Sequence, residues 1–242
     1  MPDAITQSHE PLEDHARAGP DTDAMAAPAE AAAATPRKRP KPGERRVQIL
    51  QALASMLEQP SGERITTAAL AARLDVSEAA LYRHFASKAQ MFEGLIEFIE
   101  QSVFSLANQI VEREQASAAG GALDVGQRQA AKLIMMVVQF AEKNPGMARV
   151  MVGDALVFEN ERLIARMNQF FDKIEATLKQ CLRDGAYLTA LASNSATPTA
   201  DAQVRASVLA AFVGGRLQRF VRSGYKRLPS ENLDASLRLL LG

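Results

Sequence analysis

The chain has no tryptophan, a single cysteine and only three histidines in 242 residues. One cysteine, Cys181, excludes an intrachain disulfide, and in an apolar segment it reads as a small core residue rather than a nucleophile. His9 and His15 fall in a polar N-terminal stretch, which leaves His84 alone. With no His/Cys/Glu set at ligand spacing, no glycine loop after a strand and no nucleophile beside a base, neither a metal, a cofactor nor catalysis is expected. No apolar run reaches the ~18 residues that span a bilayer. The acidic, proline-punctuated start also lacks the basic onset and apolar centre of a signal peptide. A reducing cytoplasm and no membrane anchor are the matching expectations. Strand alternation is missing throughout, so the expected architecture is all-α.

The zero net charge hides a segregation. Residues 1 to 36 carry seven acids against Arg17, whereas residues 37 to 88 carry ten Lys or Arg against five acids. The first segment is rich in Ala, Pro, Asp and Glu and has no aromatic, so it cannot bury enough surface to offset its ordering entropy and is expected to be disordered. In Arg37-Lys38-Arg39-Pro40-Lys41-Pro42-Gly43 the prolines keep the cations out of a helix, as suits an arm that tracks phosphates. Three segments follow: a tail with a basic arm over 1 to 43, a compact head over 44 to 88, and a larger helical body over 89 to 242.

Periodicity places helices at Glu44 to Glu58, at Ser87 to just before Gly120, at Leu123 to Lys143, at Met147 to Gly153, at Ala155 to Ala186, at Asp201 to Lys226 and at Leu233 to Leu241. Asn144-Pro145-Gly146 stops the third, Ser193 to Ala200 reads as a loop, and Ser230 reads as the cap of the last helix. Gly214 and Gly215 lie inside a helix, where each costs up to ~1 kcal/mol, so a close helix crossing is expected there. Met135, Met136, Phe140, Met167 and Phe171 at helical spacing read as plain core before they read as the lining of a ligand pocket.

Thr66 to Lys88, TTAALAARLDVSEAALYRHFASK, organises the head. Leu70, Ala71 and Leu74 repeat at helical spacing, Asp75-Val76-Ser77 interrupts, and a second short helix runs from Glu78 towards Phe85. Ala71 is small enough for the second helix to cross closely, and Leu74, Val76, Leu81 and Phe85 fill the wedge. This is the pattern of a helix-turn-helix whose second helix enters the DNA major groove. Ser77, Ala79, Ala80, Tyr82, Arg83 and His84 are left at the outer face, where hydroxyls, a His and an Arg donate to phosphates or base edges and the alanines let the backbone approach. Arg45 and Arg46 oppose the macrodipole at their helix start, a placement a nearby phosphate would explain. Arg64 stands ahead of Thr66 and Thr67, one of which caps the next helix and offers its N-terminus to a phosphate. Asp75 sits at the turn, where Asp tolerates the left-handed conformation.

Leu81-Tyr82-Arg83-His84-Phe85 followed by Ser87-Lys88 resembles the LYxHFxxK signature of TetR-family DNA-binding proteins. Ile65-Thr66-Thr67, Leu95 to Glu100, Glu142 to Gly146 and Phe220 to Ser223 extend the resemblance to the nucleoid occlusion branch of that family, over residues 44 to about 242. The resemblance implies a homodimer on palindromic chromosomal sites that, when DNA-bound, engages the tubulin-like protein FtsZ and blocks cell division over the nucleoid. It further implies DNA contacts from the head, including Lys88, and an FtsZ-facing surface with Phe98, Met136, Lys143 and Asn144. Phe98 at its helical spacing fits core and surface equally. The last two helices, with Phe212, Gly214, Gly215 and Phe220, are the expected dimer interface. A ligand-responsive transcriptional repressor with the same head is the rival reading.

Overall fold

In the computed structural model, the described residues are 43–59, 64–117, 122–193 and 198–242, without the side chains of 122–124, 184–193 and 198. The N-terminal tail and basic arm through residue 42 lie outside them. The described elements are helices α1 (Glu44–Leu57), α2 (Thr67–Arg73), α3 (Glu78–Tyr82), α4 (Lys88–Ala116), α5 (Ala122–Lys143), α6 (Pro145–Met151), α7 (Glu161–Ser193), α8 (Pro198–Arg222) and α9 (Leu233–Leu241), with a 3-10 turn at Asp154–Leu156. No strand occurs among the described residues, and none of their helices is long and apolar enough to cross a membrane.

Capping fixes the local geometry of the head. Thr66 Oγ1 accepts the amide of Ala69, and Ser77 Oγ accepts that of Ala80. Ser87 Oγ accepts the amide of Gln90, while Gln90 Oε1 returns to the amide of Ala86, one residue before the position a strict capping box uses. Asp75 adopts φ +53°, the left-handed turn expected of it. Leu70, Ala71, Leu81 and Phe85 are buried in the wedge, with Leu74 and Val76 packed at its edge.

The head has no core of its own. Ile49, Leu53 and Leu57 of α1 and Phe85 belong to one apolar cluster with Met91, Phe92 and Leu95 of α4 and Val150 of α6. That continuity makes α4, a rod of about 43 Å at ~1.5 Å per residue, a shared wall of head and body. Helix α5 is central, with Leu133, Ile134, Val137, Val138 and Ala141 all no more than 1% exposed, and it packs on α4, α6, α7, α8 and α9.

Helix α6 crosses α1 at Gly146. A Cβ there would lie 1.9 Å from the Ala54 carbonyl oxygen, so only glycine permits the approach. Gly146→Ala is therefore expected to cost about 1 to 3 kcal/mol through backbone displacement, read as a lower Tm in thermal unfolding. At the far end of α4, Glu114 is buried and pairs with Lys132 and Arg128 of α5. The Lys132 hydrogen bond is the main reason its carboxyl sits below the usual range, with burial opposing and Arg128 assisting. Because the folded value is the lower one, this contribution is complete above the unfolded value of about 4.3 and is lost as pH falls through the folded one. Glu114→Gln is expected to lower stability at pH 7 and to reduce the further loss on acidification, as measured by urea unfolding at pH 7 and pH 3.

Several boundaries differ from the sequence expectation, among them the end of α7 at Ser193 rather than Ala186 and the start of α8 at Pro198 rather than Asp201, within the stretch read as a loop. Helix α7 starts at Glu161 rather than Ala155, because Gly153 turns left-handed at φ +79° and the 3-10 turn absorbs the following residues. Helix α8 ends at Arg222 rather than Lys226, since Gly224 and Tyr225 take φ +62° and +65°, and the Tyr225 amide closes on the Phe220 carbonyl. Asn232 at φ +56°, not Ser230, flanks the start of α9. The Ser230 amide instead donates to Glu142 Oε1 at 2.8 Å.

Candidate nucleic-acid interface

On α3 the outer face is open as the spacing requires. Ser77, Ala79, Tyr82, Arg83 and His84 are exposed, Tyr82 at 46%, and Ala80 is half-buried. Thr66 is exposed at the α2 N-terminus with its hydroxyl used as a cap. Arg64 is exposed ahead of it, and Arg45, half-buried, donates to Gln48 Oε1 at 3.1 Å. These groups form a cationic and hydroxylic surface around a helix end, the combination that phosphate and base-edge recognition needs.

Three of the expected DNA contacts carry internal bonds that spacing alone did not reveal. Thr67 does not cap α2; its hydroxyl donates to Glu78 Oε2 at 2.5 Å and locks α2 to α3. The Arg46 guanidinium lies 4.2 Å from the centre of the Phe85 ring and donates to the His84 carbonyl at 3.2 Å, so it clamps the end of the recognition helix. Lys88 pairs with Glu159 of the α6–α7 loop. Arg73, missed by the sequence reading, donates from Nη2 to Ser55 Oγ at 2.8 Å and ties α2 to α1.

The body surfaces fall on two faces. Phe98 on α4 is half-buried against the core, and so is Met136 on α5. Lys143 is exposed in the last turn of α5, on the same face as Met136 seven residues earlier. The Asn144 side chain donates from Nδ2 to the Phe140 carbonyl at 2.8 Å and caps the end of α5. Along α8, Val204 and Val208 are 64% and 48% exposed, and Ala211 and Gly215 continue the same stripe at helical spacing. Phe212 is half-buried beneath the Arg216 guanidinium, 4.5 Å from its ring centre. A Cβ on Gly214 or Gly215 would meet nothing within 4 Å, so no described helix crosses there. Phe220 corrects the sequence reading: it is 1% exposed, with its ring against Tyr225, and belongs to the chain's own core. On α9, Leu239 is 87% exposed.

Among the described residues no group of three or more His, Cys, Asp or Glu is placed to hold a metal, and Cys181 is buried. Met167 is 2% exposed in the core, and Met135 opens instead onto a groove of about 520 Å³ between α5 and α9.

Comparison with known proteins agrees with this layout. Residues 49–95 match the family of bacterial regulatory proteins, tetR family, and residues 127–242 match the SlmA-like tetracyclin repressor-like C-terminal domain. Nucleoid occlusion factor SlmA of Aliivibrio fischeri strain MJ11 is 49% identical over 208 residues, covering 86% of this chain and 97% of the relative. The SlmA of Idiomarina loihiensis is 44% identical, covering 81% and 93%, and that of Shewanella halifaxensis 47%, covering 78% and 89%. Among solved structures, the transcriptional regulator FadR from Bacillus subtilis in complex with stearoyl-CoA superposes with TM-score 0.59 at 14% identity, covering 81% of this chain and 97% of that one. The TetR-family regulator PfmR from Thermus thermophilus gives 0.57 at 17%, covering 80% and 94%. At such identity these two establish the fold alone.

Proposed function

The chain belongs to the SlmA family of nucleoid occlusion factors within the TetR-family regulators, and we propose that it binds palindromic chromosomal sites as a homodimer and, when DNA-bound, holds off FtsZ assembly over the nucleoid. The observation that carries this reading is the near full-length match to SlmA relatives, joined to a recognition helix whose outer face carries Tyr82, Arg83 and His84 in the open. The protein acts in the cytoplasm on the chromosome and carries out no chemistry of its own.

Dimerisation follows from the α8 stripe. Val204, Val208, Ala211 and Gly215 present apolar surface left exposed among the described residues, and a two-fold axis through it lets identical stripes bury one another. Gly214 and Gly215 then admit the partner's helix at close range, and Leu239 extends the contact from α9. The basic arm over 37 to 43, with Arg45, adds affinity with little specificity. Neutralising it should lower the slope of log affinity against log salt by up to ~0.9 per lost phosphate contact, whereas deleting residues 1 to 36 should change the affinity little.

FtsZ meets the face of α4 and α5 that carries Phe98, Met136, Lys143 and Asn144. DNA docking favours one orientation of α4, and the coupling is reciprocal: FtsZ also tightens DNA binding. Pull-down of FtsZ with and without operator duplex tests the proposal, with capture expected to rise when the duplex is present. Phe98→Ala is expected to cost less than the ~3 to 5 kcal/mol of a fully buried Phe, because the ring is only half-buried, while abolishing capture and sparing DNA binding. A Phe98→Ala protein that folds, binds operator and still captures FtsZ as the wild type does would exclude this face. The ligand-gated alternative is the weaker reading, since Met167 is packed in the core and Met135 faces a surface groove.

A further inference from the structure

Lys88 is the last residue of the signature motif and the natural candidate for a phosphate ligand at the start of α4. Its environment argues otherwise. The ammonium pairs with the Glu159 carboxylate, the two side chains are only 20% and 9% exposed, and Nζ lies 5.6 Å from the centre of the Phe92 ring. To reach a phosphate, Lys88 would have to leave Glu159 nearly buried and unpaired, and an uncompensated buried charge costs more than one exposed phosphate contact returns.

Glu159 is itself held in place. Its loop, between α6 and α7, is fastened at one end by Asp154, whose Oδ2 accepts from Arg149 Nε at 2.7 Å. The same Arg149 donates from Nη1 to the carbonyls of Leu57 and Gln59, at 3.2 and 3.1 Å, at the end of α1. At the other end Arg162, in the first turn of α7, pairs with Glu93 of α4 at 3.6 Å. The end of α6 and the loop that follows it thus grip the head at both sides: the C-terminal end of α1 through Arg149, and the start of α4, six residues beyond Tyr82, through Glu159. Sequence separation hides this, since Lys88 and Glu159 are 71 residues apart.

We propose that Lys88 and Glu159 form a latch that sets the angle of the recognition helix against the body, so that Glu159 is a positioning residue for DNA binding and Lys88 is not a phosphate ligand. The inference rests on the DNA-binding function proposed above. It matters because two heads on one dimer must enter successive major grooves about 34 Å apart, and a small tilt at the start of α4 is carried to both. Breaking the latch penalises a full palindrome more than a single half-site, where no spacing has to be met.

The test is a charge swap on the full chain, using the palindromic duplex that the wild type selects from a random-sequence pool, with folding followed by thermal unfolding. Lys88→Glu and Glu159→Lys singly are expected to weaken binding about tenfold or more, the scale of ~1.4 kcal/mol or above, and the double swap to return within about threefold of wild type. Lys88→Met should leave the salt slope unchanged, and Lys88→Met with Glu159→Gln should bind as weakly as either alone. Should the charge reversals unfold, this neutral pair carries the test. A double swap no better than Lys88→Glu, or a salt slope that falls by ~0.9 per protomer in Lys88→Met, would return Lys88 to the phosphates and overturn the latch. A wild type that selects no duplex overturns the DNA-binding function itself, a different failure visible before any variant is made.

Discussion

Replacing Tyr82 and His84 together by alanine is expected to reduce affinity for the palindromic duplex by at least about 4 kcal/mol, roughly a thousandfold. The figure follows from two residues on each of two protomers at ~1 to 3 kcal/mol per contact. Both side chains are exposed and neither supports the wedge, which is closed by Leu70, Ala71, Leu81 and Phe85. Stability should therefore stay within ~0.5 kcal/mol of wild type. Titration at fixed salt measures the first number and thermal unfolding the second. Unchanged affinity in a folded double variant would remove α3 from the recognition surface.

Gly215→Leu is expected to have opposite effects on the protomer and on the dimer. Within one chain a side chain at residue 215 meets open space, and exchanging a mid-helix glycine for leucine favours the helix by up to ~1 kcal/mol. Across a two-fold axis the same leucine appears twice at the closest approach of two helices, where each overpacked side chain costs about 1 to 3 kcal/mol. Dimerisation should weaken by at least about 2 kcal/mol, and binding to a palindrome should become steeply dependent on protein concentration. Sedimentation equilibrium of wild type and variant measures this. A variant as dimeric as the wild type would move the interface away from the α8 stripe.

Local chemistry explains why the helix-turn-helix was legible. Ala71, Asp75 and the caps at Thr66 and Ser87 each act within a few residues, so spacing and residue type suffice to place them. The bounds of α9 and the central position of α5 were equally readable, because an apolar run or an all-round apolar helix leaves few alternatives. Long-range pairing was not readable. Arg46 on Phe85, Thr67 on Glu78 and Lys88 on Glu159 depend on which elements meet in space, and each redirects a side chain that the sequence reading offers to DNA. Phe220 misled for a related reason: on an amphipathic helix with two apolar stripes, sequence does not say which one faces the chain's own core. Gly214 and Gly215 read as a close helix crossing, and no described helix crosses there.

Light scattering by purified FtsZ assembling with GTP measures whether the operator-bound dimer restrains it. Protein plus the selected palindromic duplex should suppress assembly. Protein alone, or protein with a scrambled duplex of equal length, should suppress it far less. Equal suppression with and without the palindrome would contradict the coupling between head and body, and assembly indifferent to the operator-bound dimer would contradict the proposed function itself.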